Sequence, residues 1–240
     1  MTLPILQQLP WDSDFLGFPV GRLLADGLTN SQLTASVAEA RTAGVRLLYV
    51  VAGPTNTVAA TAMQAVNGQL VDRKFTFAMP TPDLSGAPVP AAIIPTTTYT
   101  PELESLAWQS GEYSRFRLDP HFAPSVFQGL YSEWLRNSLS GAIARQVLVW
   151  RTPGGRELGL LTLGEKNGRA DIGLLAVDAS TRGQGVGQQL VAAALAQATN
   201  WGYAELQVVT QGDNTAACHF YEKCGFTLDH EEHIYHCWLV

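Results

Sequence analysis

The sequence predicts an α/β (α+β) protein, and three observations carry that prediction. Short β-branched apolar runs alternate with segments of helical periodicity over residues 1–80. Three strands joined by tight turns follow one another between Gln146 and Val177. An apolar strand then feeds through a glycine-rich turn into an amphipathic helix between Ile172 and Leu190.

In chain order, an extended opening segment through Phe15 to Leu24 leads to a helix with Ser31 at its N-cap, carrying Leu33, Val37 and Ala40 and closed by Gly44. Arg46 to Ala52 reads as a buried strand, followed by a helix near Thr57 to Val66 and a strand near Leu70 to Met79. Pro80, Pro82, Pro88, Pro90 and Pro95, with Gly86 among them, exclude regular structure and mark a linker. The chain therefore divides into a βαβαβ-like subdomain over 1–80, a Pro-rich linker over 81–92 and a second domain over 93–240.

In that second domain Ile93-Ile94 begins a strand, and Pro101 to Ser110 is a helix with proline at its first position. Gly111 to Pro120 is a polar loop, and Pro124 to Leu139 an aromatic-rich helix turning Val126, Leu130, Trp134 and Leu135 to the core. Strands at Gln146 to Trp150, Glu157 to Leu163 and Ala170 to Val177 are joined by Pro153-Gly-Gly155 and by the hairpin signal Asn167-Gly168. After the glycine turn, a helix runs to about Thr199, a strand from Ala204 to Thr210 and a helix from Asn214 to Cys224, ended by Gly225. Two strands close the chain between Phe226 and Leu239.

Composition excludes several functions. A 46% hydrophobic content over 240 residues supports a packed core, and 21 acidic against 15 basic residues, with no basic run, argue against nucleic acid as a partner. Met1 to Gln8 lacks a basic, then apolar, leader pattern, and no stretch of about 18 apolar residues occurs, so a membrane role is not expected and a cytoplasmic location is. Cys218, Cys224 and Cys237 are odd in number and clustered, which fits reduced thiols. His230, Glu231, Glu232, His233 and His236 offer metal-binding side chains, but a turn followed by a strand would place His233 and His236 on opposite faces, so no metal site is expected.

The glycine turn is the informative motif. Gly183, Gly185 and Gly187 allow close approach to a ligand, and the first amides of the following helix point at it unpaired, which suits a pyrophosphate. No Lys-Ser/Thr pair follows, as a P-loop requires, and the third glycine of a dinucleotide fingerprint would fall at Gln188. A second motif, Asn214 to Phe226, places Asn214, Cys218 and Tyr221 on one helix face. By itself that pattern also describes a capped amphipathic helix with a core tyrosine.

Arg182-x-x-Gly185-x-Gly187 and the Asn214 to Tyr221 spacing, in this order and separated by a strand, resemble the GNAT acyltransferases. The resemblance implies a central mixed, mostly antiparallel sheet flanked by helices over 93–240, with 1–80 as an addition. It also implies acetyl-CoA as co-substrate, a small-molecule amine as acceptor, direct attack without a covalent intermediate and, as a family-based expectation, a homodimer. Arg182, Gly183, Gln184, Gly185, Val186 and Gly187 would then meet the pyrophosphate, Leu175, Ala176 and Val177 the pantetheine with their backbone, Asn214 and Ala217 the same arm, and Tyr221 would be the general acid. No spacing gives Cys218 a base, so it is not expected to be a nucleophile. The base that deprotonates the amine is open among Glu112, Asp119, His121, Asp171 and a water relay.

Leu9 to Phe18, Gly111 to Pro120 and Tyr131 to Trp134 are similar to segments of the dTDP-fucosamine acetyltransferases, which act on the 4-amino group of a dTDP-linked 4-amino-4,6-dideoxyhexose. That makes Ser114, Arg115, Phe116 and Asp119 candidates for the sugar-nucleotide side. The loop also fits a simpler reading in which Arg115 and Arg117 pair with acids and Phe116 is a core anchor. Val177 to Arg182 is retained where the enterobacterial members are shorter, so the donor side is specified more firmly than the acceptor. Another small amine, an amino acid or a protein N-terminus as acceptor, and a non-catalytic acyl-CoA sensor, are the competing functions.

Overall fold

The computed structural model describes residues 6–81 and 91–239. Of the expected Pro-rich linker, residues 82–90 lie outside the described residues. The chain forms two compact units, one of Met1–Phe75, Gln211–Asp213 and His230–Val240, the other of Thr76–Thr210 and Asn214–Asp229.

In the first unit, strands β1 (Gln7–Gln8) and β2 (Val20–Leu24) pair antiparallel, and β2 runs parallel to β3 (Leu47–Ala52). The crossover between β2 and β3 is helix α2 (Asn30–Thr42), and helix α3 (Thr57–Ala65) follows β3. All six residues of β3 are buried, as a continuous apolar run demands. Leu23, Leu33, Val37, Leu48, Val50, Met63 and Tyr235 form the core of this unit.

Three local expectations change here. The opening segment is not wholly extended: helix α1 (Pro10–Leu16) precedes β2, started by Pro10 and ended by Gly17 at φ 74°. The cap of α2 is Thr29 instead of Ser31, because Thr29 and Gln32 form a reciprocal capping box. The chain ends in one long strand, not two. After β4 (Gln69–Pro80), with the intervening elements given below, β10 runs unbroken over Thr227–Trp238. No glycine, proline or asparagine interrupts that stretch, and its second half pairs with β3 from His233↔Ala52 to Trp238↔Leu47. His236 thereby becomes buried, its ring stacked on Tyr49 at 4.9 Å.

In the second unit, β5 (Ile93–Pro95), β6 (Gln146–Arg151), β7 (Glu157–Lys166) and β8 (Arg169–Val177) pair antiparallel in sequence, and β9 (Glu205–Gln211) pairs parallel with β8. The β7–β8 turn has Asn167 at φ 55° and Gly168 at φ 77°, the two left-handed residues of a type I′ hairpin. Helix α4 (Pro101–Ser110) is tied to the strands through Glu157, a buried carboxylate that accepts from Arg151 at 2.6 Å and from the Thr100 hydroxyl at 2.6 Å. Thr100 in turn caps α4 by accepting from Leu103 N–H. Helix α7 (Val186–Asn200) packs on β7 where a Cβ at Gly159 would lie 3.0 Å from Leu190 and 3.1 Å from Val186.

The loop expected over Gly111 to Pro120 contains a single helical turn, α5 (Arg115–Leu118), because the Ser114 hydroxyl caps it. Helix α6 (Pro124–Leu139) buries Phe127, Leu130, Tyr131, Leu135 and Leu139, whereas Val126 and Trp134 are only partly covered. Leu130 and Leu135 are buried as expected, Phe127 and Tyr131 take the places expected for Val126 and Trp134, and Phe127, Tyr131 and Trp134 pack in tilted pairs with centroids 4.9 and 5.0 Å apart. Gly111 lets α4 meet this face, since a Cβ there would sit inside the Tyr131 ring. Gly111→Ala is therefore expected to lower stability by about 1–3 kcal/mol, the usual range for overpacking. A reduced urea midpoint at unchanged slope checks this, and an unchanged midpoint would contradict the packing.

Candidate active site

The site is built on the end of β8. Leu161 pairs with Leu175 and Leu163 with Ile172, so Thr162 alone opposes both Gly173 and Leu174. Strand β8 carries one residue more than its neighbour, a bulge that bends and twists it. The Thr162 hydroxyl, buried, accepts from the Leu174 N–H at 2.8 Å. On the other edge the parallel ladder with β9 runs from Ala170↔Leu206 to Ile172↔Val208 and goes no further. Leu175, Ala176 and Val177 are consequently paired with β7 alone.

Beyond Val177 a 3₁₀ turn (Ala179–Thr181) opens with the Asp178 carboxylate accepting from the hydroxyl and N–H of Ser180, bonds that hold its pKa below the usual value. The Thr181 hydroxyl donates to the Asp178 carbonyl at 3.2 Å. Gly183 at φ 79° and Gly185 at φ 80° then reverse the chain into α7. The first α7 bond through Gly185 is Gln189 N–H to its carbonyl, at 3.1 Å. Among the described residues the amides of Gly183, Gly185, Val186, Gly187 and Gln188 donate to no protein acceptor. They form a cluster of oriented N–H groups with no acidic residue in the first helical turn.

Arg182 is exposed, but its side chain braces the turn: Nε donates to the Val177 carbonyl at 3.0 Å and an Nη to Gln109 of α4 at 3.0 Å. Helix α8 (Thr215–Lys223) supplies the second wall. Asn214 caps it by accepting from the Ala217 N–H at 3.1 Å, so the Ala217 amide is already engaged. A Cβ at Gly187 would lie 3.0 Å from the Phe220 ring and 3.6 Å from the Val177 side chain. The end of β8, the first turn of α7 and the middle of α8 therefore converge on one glycine.

On α8, Cys218 and Tyr221 face inward together. The Tyr221 ring lies among Phe77, Phe220 and Phe226, at 6.0, 5.3 and 5.7 Å between centroids. Its hydroxyl makes no hydrogen bond among the described residues. Burial drives its pKa well above the ordinary 10.0, with smaller contributions from Cys224 and Cys218. Burial likewise raises the pKa of Cys218 and Cys224, which disfavours the thiolates a covalent route would need.

The loop residues expected on the acceptor side make contacts within their own loop. Ser114 is buried and accepts from Phe116 N–H at 3.3 Å, and Phe116 is buried against Phe122 at 5.4 Å. The half-buried Arg115 places its guanidinium 4.7 Å from the Phe116 ring centre. The Asp119 carboxylate is buried and meets His121 Nδ1 at 2.7 Å. Of the candidate bases, Glu112 is exposed, while Asp171 accepts from Gln207 Nε2 at 2.8 Å near the start of β8. At about 3.3 Å per residue Asp171 stands roughly 20 Å from Val177, too far to serve chemistry at that end.

The profile of the Acetyltransferase (GNAT) family matches residues 103–226. The chain belongs to the GNAT acetyltransferase family. Its similarity to the dTDP-fucosamine acetyltransferase of Escherichia coli O6:H1 (strain CFT073) is 33% identity over 180 residues, 73% of this chain and 74% of that one. It is also similar to the spore coat polysaccharide biosynthesis protein SpsD of Bacillus subtilis (strain 168), at 28% identity over 55% of this chain and 45% of the relative. In fold it resembles the GCN5-related N-acetyltransferase from Sphaerobacter thermophilus, with TM-score 0.56 and 16% identity over 92% of this chain and 73% of that one.

This GNAT protein is an acetyl-CoA-dependent N-acetyltransferase that acts on an amine acceptor. Among its described residues no helix is long and apolar enough to cross a membrane. Two features of the acetyltransferase escaped the sequence reading, Thr162 and the Gly173 bulge. The signal was present in Gly173, a glycine inside a strand pattern, which marks a bulge or a close backbone approach.

Tyr221 has a pH signature. Its folded pKa is raised, so the unfolded chain releases this proton first; stability is full below about pH 10 and falls as pH rises above it. Tyr221→Phe removes that contribution. Urea unfolding at pH 8 to 11, values bracketing the usual tyrosine pKa of about 10, is expected to show the wild type losing stability more steeply above pH 10 than the variant. Parallel curves would show that Tyr221 is not buried in this way.

Proposed function

We propose that this acetyltransferase modifies the amino group of a nucleotide-linked amino sugar, a dTDP-4-amino-4,6-dideoxyhexose, with Tyr221 as general acid. The observation that carries the acceptor is the 33% identity over 180 residues with a dTDP-fucosamine acetyltransferase. The donor half is supported by the convergence of Val177, Gly187 and Phe220 below a row of unpaired amides. Gly183, Gln184, Gly185, Val186 and Gly187 hold the pyrophosphate of acetyl-CoA, with Arg182 supporting the turn and adding positive charge. Leu175, Ala176 and Val177 offer backbone groups to the pantetheine on the edge that β9 has left. Asn214 and Ala217, at the start of α8, border the same arm.

In the reaction the neutral amine nitrogen attacks the thioester carbonyl carbon, and an N–H at the end of β8 stabilises the oxyanion. The C–S bond then breaks, the departing thiolate takes the Tyr221 proton, and the proton lost by the amine returns to the phenol through solvent. The phenol is protonated at neutral pH, as the acid role requires, while burial makes it a weaker acid than a free tyrosine. Direct attack also accords with the raised pKa of Cys218. On the acceptor side Arg115 meets the diphosphate, with Ser114, Phe116 and Asp119 shaping the loop that presents it. The unit of Thr76–Thr210 and Asn214–Asp229 carries this chemistry, and the other unit is an addition to it. Cys218, Cys224 and Cys237, as thiols outside any disulfide, suit the reducing cytoplasm.

Release of coenzyme A thiol from acetyl-CoA, followed with a panel of dTDP-linked 4-amino sugars and their 4-hydroxy counterparts, tests the acceptor. Release with an amino sugar and none with its hydroxy counterpart is expected; release only with simple amines would overturn the assignment. Tyr221→Phe is expected to lower kcat by about a hundredfold or more while acetyl-CoA KM stays within about twofold. Unchanged kcat would remove Tyr221 from the acid role.

A further inference from the structure

The acetyl donor needs a strand end with one free edge, and something must keep β8 from closing back onto β9. Strand pairing would otherwise continue past Ile172↔Val208, because β9 extends to Gln211 and offers further backbone partners. The β9 ladder stops at Ile172, directly before the extra residue at Gly173–Leu174 in the ladder with β7, and a bulge leaves a backbone group outside the ladder. In the interior such a group must find a partner. Here the partner is a side chain, the Thr162 hydroxyl, 2% exposed as a residue and 2.8 Å from the Leu174 N–H. The fit is close on both sides, since a Cβ on Gly173 would stand 2.9 Å from the same oxygen.

We propose that Thr162 is a positioning residue for the acetyl donor: by accepting the Leu174 N–H it holds the β8 bulge and so fixes where the backbone of Leu175, Ala176 and Val177 stands. It touches no substrate and acts through β8. This rests on the reading that those three residues meet the donor. Valine keeps the shape of threonine but cannot accept a hydrogen bond, and serine keeps the acceptor without the methyl. A β8 free to re-register would pair its edge or shift the N–H groups off the donor, and the loss would appear toward acetyl-CoA and not toward the acceptor amine.

The test combines kinetics with amide hydrogen exchange on the full chain, at a temperature where circular dichroism shows each variant folded. Thr162→Val is expected to raise acetyl-CoA KM by about tenfold with acceptor KM within about twofold, and Thr162→Ser to restore most of the loss. Gly173→Ala, which retains the hydroxyl but crowds it, is expected to behave like Thr162→Val and carries the test if the valine variant does not fold. In the wild type, coenzyme A is expected to slow exchange at Leu175 to Val177, and Thr162→Val to lose that protection. No protection in the wild type would overturn both the donor reading and this inference. Wild-type protection that persists in Thr162→Val, with unchanged acetyl-CoA KM, would overturn this inference alone.

Discussion

Strand β8 satisfies two demands that conflict in an ordinary sheet. It pairs with β7 from Lys166↔Arg169 to Gly159↔Val177, yet it parts from β9 after Ile172. One surplus residue lies where they meet: the bulge shifts the β7 register by one between Leu163↔Ile172 and Leu161↔Leu175, bends β8, and the ladder with β7 then resumes. The remaining site features follow from where that bend delivers the chain. Val177 arrives beside Gly187, the glycine turn starts within reach of α4 through Arg182 and Gln109, and the first amides of α7 donate to no acceptor among the described residues. Gly187 cannot carry a side chain there without pushing on Phe220, so the turn is set by packing as well as by backbone freedom.

Electrostatics distinguishes the glycine turn from the loop over Gly111 to Pro120. The glycine turn has no acidic residue in the first turn of α7, and the Asp178 carboxylate before it is occupied with Ser180. Unpaired amides and the Arg182 guanidinium make its local charge positive. Tyr221 lies in an aromatic setting that penalises its ionised form, so the phenol keeps its proton at neutral pH. The loop from Gly111 to Pro120 is built differently. Its polar residues are used to hold its own shape, Ser114 as a cap and Asp119 as a partner of His121, and Arg115 lies over Phe116.

Much of this was legible in sequence where local chemistry decides the backbone. The Asn167-Gly168 hairpin, Pro101 and Pro124 at helix starts and the glycine turn all specify conformations that few residues permit, and each appears as expected. Long-range choices were not legible. The single strand β10 depends on pairing with β3, far away in sequence, and the burial of Tyr131 on α6 depends on how it meets Gly111. The Thr162–Leu174 bond joins two strands through a side chain whose type alone says nothing about its partner. The inward turn of Ser114 and Asp119 likewise follows from the short helix α5, which the polar composition of the loop concealed.

The role of the glycine turn is open to direct observation. In an NMR titration with acetyl-CoA, the amide protons of Gly183, Gly185, Val186, Gly187 and Gln188 should move downfield together as they meet phosphate oxygens, more than the amides of β6 or α6. If calorimetry shows acetyl-CoA bound while these amides stay in place, the donor is held elsewhere and the bulge in β8 serves the sheet alone.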